Sequence, residues 1–66
     1  MTSQEMEKAA IEQSYISTVA NIFDNFVGGY TATNTPERQE AVKQDFREKI
    51  LHIRLMKDLA IASIPA

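Results

Sequence analysis

The sequence predicts an all-α fold, an antiparallel two-helix hairpin completed into a bundle by self-association. Three observations carry this expectation. Helix-start signals stand at Thr2 and at Thr35-Pro36. Apolar residues recur at helical spacing, and the period-two alternation of strands is missing throughout. The second helix is apolar on two sides, more than one neighbouring helix can cover.

The first helix is expected over about residues 3–27. Thr2-x-x-Glu5 has the form of a capping box, which satisfies N–H groups otherwise left without partners. Gly28-Gly29 is read as its end, because glycine readily takes the left-handed cap conformation. Residues 28–35 are small and polar and are expected to form a loop. The second helix is expected over about residues 36–62, with Thr35 as N-cap, Pro36 in the first position and Glu37 in the first turn. The two helices match in length, and a single domain spans 1–66.

On a helical wheel, the first helix has a wide apolar arc of Ile11, Tyr15, Ile16, Val19, Ala20, Ile22, Phe23, Phe26 and Val27. The second has one stripe of Val42, Phe46, Ile50, Ile53, Met56, Ala60 and Ile64, and another of Leu51, Leu55, Leu59 and Ala62. A hairpin turning at residue 31 or 32 sets residues 19–27 against 36–44, and residues 50–64 against 1–13. Each apolar half then faces a polar half, which a second chain would relieve. The expected interface residues are Tyr15, Ile22, Phe26, Ile50, Leu51, Ile53, Leu55, Met56, Leu59, Ile61 and Ile64.

Composition narrows the function classes. The 66 residues hold 44% hydrophobic side chains and a net charge of -2. A chain this short builds a core of near-zero net stability, so disulfides, a metal or self-association must supplement it. There is no cysteine and only one histidine, which removes disulfides and thiolate or histidine-rich metal sites. The acidic balance argues against nucleic acid as a partner. The start is polar and acidic, unlike a secretory signal, and no apolar run is long enough for a membrane span. A cytoplasmic location is therefore expected.

Four constellations carry possible chemistry. Glu48 and His52 share a helix face, but half a ligand set does not hold a metal. Glu12 lies on the apolar arc, and the hairpin register sets it near Arg54, a possible buried pair. Six of the seven basic residues fall in the second helix: Arg38, Lys43, Arg47, Lys49, Arg54 and Lys57. Glu37, Glu40, Asp45, Glu48 and Asp58 interleave with them, so this reads as exposed ion pairing, with Glu40–Lys43, Asp45–Lys49 and Glu48–Arg47 as pairs. The loop offers Tyr30, Thr31, Thr33 and Asn34 as a possible ligand site beside a helix N-terminus, but it lacks the spacing and lysine of a phosphate-binding loop. No nucleophile, base and orienting group can be assembled, and no cofactor is implied.

The layout of two helices, the second opened by proline and apolar towards its C-terminal end, resembles that of needle subunits of type III secretion systems. That resemblance implies open polymerisation into a filament. The expected function is a non-enzymatic, self-associating hairpin acting by protein–protein interaction, such as an adaptor, chaperone or small phage or bacterial inhibitor. The alternatives are a filament subunit and an oligomeric binder of nucleotides or other small ligands.

Overall fold

The computed structural model describes residues 2–66. Met1, which the sequence register sets against the end of the second helix, lies outside them. The chain forms an antiparallel hairpin of two helices, α1 (Ser3–Ala32) and α2 (Pro36–Ala62). It is a slender rod of 50 × 16 × 8 Å.

Side chains mark the start of each helix. Thr2 is extended, and its hydroxyl accepts the Glu5 N–H at 3.1 Å. Thr35 is also extended, as a residue before proline must be, and its hydroxyl accepts the Arg38 N–H at 3.3 Å. Pro36 occupies the first turn, where no donor is lost. α2 ends at Ser63, whose hydroxyl donates to the Leu59 carbonyl at 2.7 Å. The two chain ends meet where Gln4 Nε2 donates to the Pro65 carbonyl at 3.1 Å.

One boundary differs from the sequence expectation. α1 runs through Gly28 and Gly29 to Ala32, so the connection is only Thr33, Asn34 and Thr35. Neither glycine has a positive φ, so neither serves as the left-handed cap. Thr33 stops the helix instead: it is extended, and its N–H and hydroxyl both donate to the Tyr30 carbonyl, at 3.2 and 2.8 Å. The packing of this last turn explains why it stays helical. Phe26 packs against Phe46 with tilted rings whose centroids are 4.9 Å apart, and against Tyr30 at 5.7 Å. Two helical glycines cost about 1 kcal/mol each relative to alanine, a penalty that such aromatic contacts offset.

The longer α1 moves the turn and resets the register. Phe26 lies level with Phe46, Gly29 with Val42, and Tyr15 with Lys57. Ile22 then falls level with Ile50, and Ile11 with Ile61. The apolar halves therefore face each other, and the mismatch expected from a turn at residue 31 or 32 is absent. Half-covered positions recur every eleven residues, at Ile11, Ile22 and Thr33 and at Gln39, Ile50 and Ile61. Eleven residues over three turns is close to the natural helical period.

Candidate interaction surface

The seam between the helices is thin. Among the described residues none is buried, apolar or polar. Of the expected interface residues, Tyr15, Ile22, Phe26, Ile50, Ile53, Ile61 and Ile64 lie half-buried, most of them along the contact between α1 and α2. Their own chain already uses them. Two aromatic–cation contacts close the seam: the Lys57 ammonium sits 4.7 Å from the Tyr15 ring centre, and Lys43 lies 6.0 Å from Tyr30. Lys57 is half-buried at the seam with its ammonium over the Tyr15 ring, as a long side chain with a polar head allows.

Outside the seam, large apolar side chains stand in water. Leu51 and Leu55 are each 54% exposed, Leu59 52% and Met56 42%. The chain itself does not cover the leucine row that the sequence marks as surplus. Leu55 and Leu59 lie on the side of α2 turned away from α1, as helical spacing from the seam residues requires, and Leu51 stands at the edge of that side. The sequence reading missed a second row, on α1: Met6 and Ile16 are 58% exposed, Phe23 54% and Val27 45%. Ile16, Phe23 and Val27 belonged to the wide apolar arc, but were not separated from its seam side. Their spacing was the available signal. Met6, Ala9, Gln13, Ile16, Ala20, Phe23 and Val27 step by three and four, the pattern of a helix seam waiting for a partner.

The two flanks of the seam differ in chemistry. One carries Ser14, Thr18 and Asn25 from α1, with Asp45, Lys49 and Met56 from α2. The other carries a groove lined by Lys43, Arg47, Leu51 and Arg54 over Phe26 and Phe46. On α1, Glu12 is about 200° around the helix from Ser14, so it belongs to this second, basic flank.

The remaining candidates separate. Glu12 and Arg54 are both exposed and form no ion pair. The reset register explains this: Arg54 is level with Thr18, while Glu12 is level with Ala60. The ion pairs of α2 are Lys49–Asp45 at 2.9 Å and Lys43–Glu40 at 3.8 Å. Glu48 and Arg47 do not pair. Instead Arg47 donates to Gln44 Oε1 at 2.7 Å, and Gln44 Nε2 donates to Glu48 Oε1 at 3.2 Å. His52 is exposed, and among the described residues no three acidic or histidine side chains converge on a point.

The proposed ligand residues do not share a loop. Tyr30 and Thr31 are on the last turn of α1, and Tyr30 is held against Phe26. Thr33 spends its hydroxyl on the helix end, which leaves Asn34 exposed in the short connection. No described helix is long and apolar enough to cross a membrane. Neither family models, nor curated proteins, nor solved structures give a match to this chain.

Proposed function

We propose that this chain is a cytosolic, non-enzymatic helical hairpin that self-associates and acts by protein–protein interaction, in the manner of an adaptor, a chaperone or a small inhibitor. One observation supports this above the others: apolar rows remain exposed on both helices while no described residue is buried. Helices are stabilised mainly by packing an apolar face, and one thin seam supplies little of that. A second hairpin laid on the first supplies a four-helix core.

The accessible surface points the same way. It is 5046 Å². A compact monomer of this mass exposes about 4,200 Å². The surplus, roughly 800 Å², matches the area of about 800 Å² that each partner contributes to a stable interface.

Light scattering tests the reading. The wild-type chain should be at least a dimer at micromolar concentration, and Phe23→Asp, in the outer row of α1, should shift it towards monomer. A folded wild-type monomer contradicts the proposal.

A second reading, open assembly into a filament, has its own support. The Leu51, Leu55 and Leu59 row lies on a different side of the hairpin from the Ile16, Phe23 and Val27 row. A contact between two different surfaces propagates into a filament unless its rotation closes a ring. Leu55→Asp separates the readings: it removes high-mass species in a filament, but leaves a closed dimer intact.

A further inference from the structure

We infer that two copies pair face to face and end for end through the basic flank, with Glu5 and Glu12 of each chain against Arg47 and Arg54 of the other. This rests on the self-association proposed above and specifies its orientation and register. Glu5, Glu12, Arg47 and Arg54 are all exposed, and none forms an ion pair within its own chain among the described residues.

The two carboxylates are seven residues apart, and so are the two guanidiniums. Seven residues are nearly two helical turns, so each pair stands on one face with about 10.5 Å between its members. The spacings match, yet the hairpin keeps the pairs apart. Glu12 is level with Ala60, about 9 Å beyond Arg54 along the helix axis. The acidic pair occupies the end of the flank near the chain termini, and the basic pair occupies the part towards the connection.

A two-fold axis perpendicular to the helices brings these halves together. Arg54 is level with Thr18 and Arg47 with Asn25, a register set by the Phe26–Phe46 and Tyr15–Lys57 contacts. One end-for-end offset then brings Glu12 level with Arg54 of the copy and Glu5 level with Arg47, both at once, each pair reaching from α1 of one chain across to α2 of the other. The same offset, within one residue, lays Phe23 over Met6 of the copy and Ala20 over Ala9. Alanine against alanine lets the two α1 backbones approach. Exposed ion pairs add little affinity. Their role here is to select orientation and register, while the apolar row drives association.

A head-to-tail slide also matches the spacings, but with the partners exchanged: Glu5 meets Arg54 and Glu12 meets Arg47. That arrangement is open. Charge reversal distinguishes the two. Glu12→Arg and Arg54→Glu should each weaken dimerisation about tenfold or more by opposing like charges, with helix content judged by circular dichroism at concentrations where each still assembles. The double variant E12R/R54E should regain dimerisation. So should an equimolar mixture of the two single variants, as a heterodimer.

In the head-to-tail arrangement the double variant opposes like charges at both contacts and stays impaired. A double variant no better than either single one overturns this inference, as do single variants that dimerise like the wild type. Either result leaves self-association itself intact, since only a monomeric wild type removes that.

Discussion

Gly28 and Gly29 show how much one residue's conformation decides. Glycine before a polar stretch reads as a helix stop because it accepts a positive φ without penalty. Here both glycines stay helical, and their environment accepts a side chain. A Cβ on Gly28 meets nothing within 4 Å, and one on Gly29 makes ordinary contact with Val42 Cγ1 at 3.6 Å. Gly28→Ala should therefore stabilise the protein, by about 0.5–1 kcal/mol, measured by urea unfolding at fixed protein concentration. A left-handed cap at this position requires the opposite sign. Phe46 stands at the other extreme, at the centre of the aromatic cluster with Phe26. A fully buried phenylalanine costs about 3–5 kcal/mol on truncation to alanine. Phe46 is only half-buried in the single hairpin, so Phe46→Ala should cost about 2 kcal/mol, roughly half the fully buried figure, and lower both the unfolding midpoint and the association.

At the scale of the elements, the helices were legible because their signals are local. Thr2 and Thr35 cap where their side chains suggest, Pro36 opens α2, and Ser63 closes it just after the expected end. Thr35→Ala should cost about 1 kcal/mol in the same unfolding experiment, since it removes the acceptor of the Arg38 N–H. The register was not legible, because it depends on a competition the glycines do not settle. Whether α1 continues past Gly28 depends on Phe26 and Tyr30 packing with Phe46, which lies far from both in sequence. Five extra helical residues moved the turn, turned a mismatched hairpin into a matched one and separated Glu12 from Arg54. The leucine row of α2 survived this change, since it faces away from the seam in either register. The row on α1 was hidden for a related reason: a wide apolar arc does not reveal which half a neighbour takes. Of the loop residues weighed as a ligand site, Tyr30 and Thr31 were lost to the helix for the same reason that the turn moved.

For the whole molecule, the thin seam and the surface area converge. A rod of two helices leaves more surface in water than a compact chain of its mass, with large apolar side chains on it, and the surplus is about one interface in size. In the dimer we propose, the charges on one flank decide how the cover is laid, by a spacing of seven residues shared between Glu5–Glu12 and Arg47–Arg54. Because each hairpin has so little core alone, dissociation and loss of helix should occur together, with an unfolding midpoint that rises with protein concentration. Sedimentation equilibrium across a dilution series, read beside helix content by circular dichroism, tests this most directly. The account predicts twice the 7.4 kDa mass of one chain at micromolar concentration, and a joint fall in mass and helicity on dilution. A monomer that keeps its full helix content at every concentration contradicts it.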